Sequence, residues 1–94
     1  MKVQAEISLY PLGEPDLLPP IEEFLQVLKE EGLEPRMGTM STIVAGESGA
    51  VFQAIAKAFE RVAAGRRCVL MVKYSNACPP PEAGEQKSDD AGRL

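Results

Sequence analysis

Residues 2–10, KVQAEISLY, alternate without a break: Val3, Ala5, Ile7 and Leu9 fall on one side, and Lys2, Gln4, Glu6, Ser8 and Tyr10 on the other. A hydrophobic period of two is wrong for a helix, whose apolar residues recur every three to four positions, and it specifies a strand with one covered face. The rest of the chain must supply the cover for Val3, Ala5, Ile7 and Leu9. It must also decide what happens to the polar side.

Two amphipathic helices can provide that cover. After the connector PLGEPDLLPP, the segment IEEFLQVLKEEG places Ile21, Phe24, Leu25 and Leu28 on one helical stripe. Pro19 and Pro20 are tolerated in its first turn, Glu22 and Glu23 suit the positive end of its dipole, and Gly32 is placed as the left-handed residue that ends it. Further on, Val51, Phe52, Ile55, Ala58, Phe59 and Val62 form a second stripe, with Ser48 as the expected N-cap and Gly65 as the stop. Between the helices, LEPRMG (33–38) reads as a short strand that Pro35 keeps at a sheet edge, and 41–46 as another strand after a tight connection near Gly38–Met40. RCVLMVKYS (67–75) is apolar on both sides and is expected to be central or covered on both faces.

The order is β-α-β-β-α-β. It predicts an α+β, ferredoxin-like βαββαβ domain over residues 1–79, a four-stranded antiparallel sheet with two helices on one face and spatial order 4-1-3-2. Residues 80–94, rich in proline, glycine and charge, are expected to be a disordered tail. With 94 residues the chain has room for one domain. The uncovered sheet face and the apolar last strand predict a homodimer or tetramer, because a monomer would leave an apolar patch in water.

Several function classes lack the residues they need. A net charge of −4 gives no basic patch for nucleic acid. No run of apolar residues is long enough for membrane insertion, and the N-terminus has no signal-peptide pattern, so a cytoplasmic protein is expected. Histidine is absent and Cys68 and Cys78 have no metal-ligand spacing, so neither a metal nor a cofactor is expected. No nucleophile has a plausible base, which predicts that the protein is not an enzyme.

What remains is a set of polar groups at strand ends in ISLYP (7–11), TMST (39–42) and KYSNACP (73–79). Ser8, Tyr10, Ser41, Thr42, Tyr74, Ser75 and Asn76, with Thr39, could converge within one subunit or across a dimer seam. Hydroxyls and an amide both donate and accept, which suits a neutral heteroaromatic ring bearing an amino group. Tyr10 or Tyr74 could stack on such a ring, and Glu6 could meet an exocyclic amine or pair with Lys73 across the sheet. A plain structural role for each of these residues is the competing expectation.

The segments ISLYPLG, MSTIVAGESGAVFQAIAKAF and VKYSNACP resemble those of the YkoF-like thiamine/hydroxymethylpyrimidine-binding family, over roughly residues 3–79. The resemblance implies a ferredoxin-like, non-catalytic binder of thiamine or hydroxymethylpyrimidine, acting in vitamin B1 salvage or uptake. By position it carries over Ser8, Tyr10 and Pro11, then Ser41, Thr42 and Gly46, then Ser75, Cys78 and Pro79, with Gly46 and Pro79 as shape residues. Members of that family carry two such units per chain; this chain has one, so a homodimer would stand in for the tandem. The alternative is an oligomeric regulatory or assembly module with no small-molecule ligand of its own.

Overall fold

The computed structural model describes residues 1–77; Cys78, Pro79 and the expected tail lie outside the described residues. Six elements follow in order: β1 (Lys2–Pro11), α1 (Leu18–Glu30), β2 (Arg36–Met37), β3 (Thr42–Glu47), α2 (Ser48–Ala63) and β4 (Cys68–Ser75). The sheet is antiparallel with order β2-β3-β1-β4, the ferredoxin-like order expected from the pattern.

The alternation in β1 sets the layers. Val3, Ala5 and Ile7 are buried under the helices, together with Phe24, Val27 and Leu28 of α1, Val44 of β3, and Val51, Ala54, Ile55, Ala58 and Val62 of α2. Lys2, Gln4, Glu6, Ser8 and Tyr10 occupy the face that no helix covers.

Gly32 ends α1 as its position suggested. It adopts φ +93°, the Gly32 N–H donates to the Lys29 carbonyl at 3.0 Å, and the Leu33 N–H donates to the Leu28 carbonyl at 3.0 Å. That is a Schellman motif, and its following residue, Leu33, turns into the core. Leu33 is therefore a helix-exit contact rather than part of a strand.

Other expectations need correction. Helix α1 starts at Leu18, earlier than the stripe alone indicated, so Glu22 and Glu23 lie beyond its first turn. The first turn is served instead by Asp16, whose Oδ1 accepts from the Leu18 N–H at 3.1 Å. At α2 the N-cap position belongs to Glu47, and Ser48 is the first helical residue. Its N–H donates to the Met1 carbonyl at 2.8 Å, so a neighbouring strand, not a side chain, satisfies that orphan donor. Phe52 is half exposed and stacks on Tyr74, ring centroids 3.9 Å apart, outside the main core. Strand β4 lies at the edge, where the order 4-1-3-2 puts it, and not at the centre or covered on both faces as its apolar run alone suggests; Val69 and Met71 on its open face are 46 % and 61 % exposed. Apolar content tells how attractive burial would be, while strand order decides whether there is anything to be buried against.

Charged groups tie the ends of elements together. Arg66 Nη1 donates to the Val62 carbonyl at 2.8 Å at the α2 C-terminus, and the same guanidinium meets Glu14 and Glu23 at 3.5 and 3.6 Å. Glu47 receives the Met1 ammonium at 3.0 Å and Lys2 Nζ at 3.4 Å. The hydrogen bond from the Met1 ammonium, and then that from Lys2, hold its carboxyl below the ordinary value of 4.5. A depressed carboxyl favours folding above its unfolded pKa, and this contribution disappears as pH falls through the lower, folded value. Melting temperature measured against pH should therefore fall less steeply for Glu47→Gln than for the native chain below pH 4.5. Parallel curves would mean that these exposed pairs do not contribute.

Candidate functional site

Strand β1 outruns its neighbour. Its pairing with β3 ends at Ile7↔Thr42, whereas its pairing with β4 continues to Pro11↔Cys68. Beyond Thr42 the chain turns away, closed by a hydrogen bond from the Gly38 N–H to the Ser41 carbonyl at 2.8 Å. The gap left beside Ser8–Tyr10 is a cleft of about 180 Å³. Ile21, Phe24 and Leu25 of α1 form one wall, and the segment from Met37 to Thr42 forms the other.

Two hydrogen bonds show which backbone groups face this gap. The Leu12 N–H donates to the Arg67 carbonyl at 2.9 Å, extending the β1–β4 register by one pair. The Ser48 N–H donates to the Met1 carbonyl, extending the β1–β3 register at its other end. Even-numbered residues of β1 thus bond to β4 and odd-numbered ones to β3, since each strand residue directs both backbone groups the same way. Leu9 is odd, and β3 is no longer there to meet it. Its N–H and C=O, one donor and one acceptor side by side, point at the cleft.

The nine polar residues singled out in the sequence do not form one cluster within a subunit. Ser8, Tyr10, Thr39, Ser41 and Thr42 line the cleft. Glu6 lies on the open face, where Ser41 Oγ donates to its Oε2 at 2.8 Å and Lys73 Nζ stands 3.5 Å from its Oε1. It is both a cross-strand ion-pair partner and a brace for the cleft's Ser41. Tyr74 pairs with Ala5 and Ser75 with Gln4, at the opposite end of β1. Six residues of strand separate Gln4 from Tyr10, about 20 Å at the usual rise. Tyr74 also faces the helix layer, where burial raises its phenol pKa above 10.0. Ser75 Oγ accepts from the Ala77 N–H at 3.0 Å, and Asn76 Nδ2 lies 3.5 Å from Met1 Sδ. Gly46 packs beneath α2, where an added Cβ would sit 3.4 Å from Val51 Cγ2.

Sequence reasoning missed the apolar walls and the Leu9 backbone. Their helical spacing marks Ile21, Phe24 and Leu25 only as core. The available signal was a mismatch in length: the alternation of β1 runs from 2 to 10, whereas the strand read at 41–46 is shorter. Among the described residues no cluster of three or more histidine, cysteine or acidic side chains could hold a metal, and no helix is long and apolar enough to cross a membrane.

The family model for the YKOF-related family matches residues 2–81, covering β1, its unpaired end, both helices and β4. The chain belongs to the YKOF-related family. No curated protein sequence matches it. Among solved structures, this YKOF-related chain is similar to a hypothetical protein of Methanocaldococcus jannascii, with 26 % identity, a TM-score of 0.73, and coverage of 79 % of this chain and 78 % of that one. It shares the fold of a Streptococcus pneumoniae protein at 18 % identity, TM-score 0.73, covering 80 % of this chain and 86 % of that one. It also shares the fold of a candidate thiamine biosynthesis/salvage protein of Thermotoga maritima at 21 % identity, TM-score 0.70, covering 79 % and 82 % respectively.

Proposed function

We propose that this YKOF-related protein is a non-catalytic binder of thiamine or its hydroxymethylpyrimidine moiety, acting in vitamin B1 salvage or uptake, and that the ring enters the cleft beside Leu9. The observation that carries the reading is the Leu9 backbone at the unpaired end of β1. An aminopyrimidine edge has a donating amino group next to an accepting ring nitrogen, the complement of one strand residue's C=O and N–H. The apolar walls from Phe24 and Leu25 suit the faces of a ring, and Thr39, Ser41 and Thr42 supply hydroxyls for a hydroxymethyl substituent. A volume of about 180 Å³ lies below the roughly 300–1,000 Å³ of pockets for larger ligands, so it suits one ring better than two. In thiamine, the thiazolium would then lie at the mouth, near Tyr10. Family membership and the name of the Thermotoga maritima neighbour support the choice of ligand.

Thermal melts test it directly. At 100 times its dissociation constant a ligand adds about 2.7 kcal/mol, and a domain this small should then melt about 10 °C higher or more. Hydroxymethylpyrimidine should produce the shift, and Ser41→Ala/Thr42→Ala should reduce it. The absence of a shift with both hydroxymethylpyrimidine and thiamine would sink the proposal.

A further inference from the structure

The hydroxyls of the cleft are not equivalent. Ser41 Oγ donates to Glu6 Oε2 at 2.8 Å in a partly buried contact. Ser41 stands two residues before Ile43, the residue opposite Glu6 in the β1–β3 register, so the bond joins diagonal cross-strand neighbours. An ionised carboxylate accepts but cannot donate, which fixes the direction of this bond. The single hydroxyl proton of Ser41 goes to Glu6, and Oγ has only lone pairs left for whatever enters the cleft. Among the described residues no such bond commits the hydroxyls of Thr39 and Thr42, which can still donate or accept.

The electrostatics act in the same direction. None of the residues lining the cleft is a lysine or an arginine. The charge behind Ser41 is the Glu6 carboxylate, whose other oxygen, Oε1, is 3.5 Å from Lys73 Nζ. The Lys73 side chain is 87 % exposed, so it orders the carboxylate while water and salt screen most of its charge. Arg36, opposite Ile43 on β2, is exposed as well and lies two strands away from Glu6.

We propose that the Glu6–Ser41 pair selects ligands by the group on the methylene beside the ring's amino group: a free hydroxyl or a cationic ring is accepted, and a phosphate ester is rejected. The inference rests on the ring position proposed above. With the amino edge on Leu9, the methylene substituent falls to Thr39, Ser41 and Thr42. A hydroxymethyl group brings its own proton and can donate it to Ser41 Oγ. The thiazolium of thiamine brings positive charge, which an oxygen with free lone pairs and a carboxylate behind it favours. A phosphate monoester brings acceptor oxygens and about −1.5 to −2 charges. Lone pairs would then meet lone pairs, and anion would face anion. The cleft is thereby matched to the unphosphorylated forms of its ligand.

Calorimetric titration at mildly alkaline pH, where an aminopyrimidine is uncharged, tests this with hydroxymethylpyrimidine, its O-methyl ether and its phosphate ester. The native chain should bind the ether about 3- to 10-fold more weakly than the alcohol, and the phosphate ester at least about tenfold more weakly. Glu6→Gln supplies the contrast. Lys73 attracts the oxygen of the new amide, so its NH2 turns to Ser41 Oγ and frees the Ser41 proton for the cleft. The ether should then bind within about twofold of the alcohol, and the penalty on the phosphate ester should shrink at least about fivefold. Because Thr39 and Thr42 are the same in both proteins, the change on Glu6→Gln isolates Ser41. Should Glu6→Gln fail to fold, the ranking on the native chain decides alone. If none of the three compounds and no thiamine binds, the pyrimidine reading of the cleft falls and this inference falls with it. If hydroxymethylpyrimidine binds and its phosphate ester binds equally well, or if Glu6→Gln leaves the ratios unchanged, that reading stands and the selection by Glu6 is overturned.

Discussion

Phe24→Ala is expected to lower the free energy of unfolding by about 3–5 kcal/mol. Phe24 is 2 % exposed, sits one helical turn from the fully buried Leu28, and faces both the core and the cleft. Its truncation removes the transfer free energy of an aromatic ring and leaves a void that α1 cannot close, held as it is by the Schellman turn at Gly32 and the Arg66–Glu23 contact. A domain of this size should melt at least about 12 °C lower. Phe52→Ala provides the comparison. Phe52 is half exposed and held mainly by its stack on Tyr74, so its loss should be nearer to about 1 kcal/mol. Urea melts of the two variants should therefore differ clearly in midpoint. Equal midpoints would mean that α1 is not docked through Phe24.

The second large effect concerns recognition. If the Leu9 C=O accepts from the ligand's amino group, replacing that group with a carbonyl oxygen sets two acceptors against each other. Binding of the oxo analogue should be about 10- to 100-fold weaker than that of hydroxymethylpyrimidine, the usual range when a buried polar group loses its partner. Calorimetric titration of both compounds measures this. Ser41→Ala should have the smaller effect, because the Ser41 hydroxyl already donates to Glu6. Equal affinity for the two compounds would remove Leu9 from the site.

The two experiments concern different levels of the same construction. The core that holds Phe24 also fixes where α1 stands relative to the end of β1, and that distance is the width of the cleft. The Glu6–Ser41 bond braces the other wall. The ion pair from Lys73 is solvent-exposed and contributes little by itself, as surface pairs do. Its position nonetheless ties the open face to the wall of the cleft through a single carboxylate.

The element order was legible because each element carries its own periodicity. Val3, Ala5, Ile7 and Leu9 could belong only to a half-covered strand, and Gly32 stops α1 by its backbone conformation, φ +93°, while Gly65, φ +92°, sits in the turn just after α2 leaves the helix at Ala64. These are local properties, written within a few residues. The helix starts were less legible. Asp16 and the Met1 carbonyl, which satisfy the first N–H groups of α1 and α2, are not at the positions where a local cap would be sought.

Register and strand order decided the rest, and both are non-local. Alternation placed Ser8 and Tyr10 on the open face but could not show that β3 begins at Thr42, opposite Ile7, and so leaves the end of β1 unpaired on that side. The tertiary structure therefore separated Tyr74, Ser75 and Asn76 from Ser8, Tyr10, Thr39, Ser41 and Thr42, and added the backbone of Leu9, whose side chain had marked it only as core. It also left the open face of the most apolar strand, Cys68–Ser75, uncovered within the subunit. The amino-acid sequence by itself determined which face of each element seeks cover. Only the tertiary structure decided which backbone groups were left without a strand to meet, because that depends on where a neighbouring strand stops.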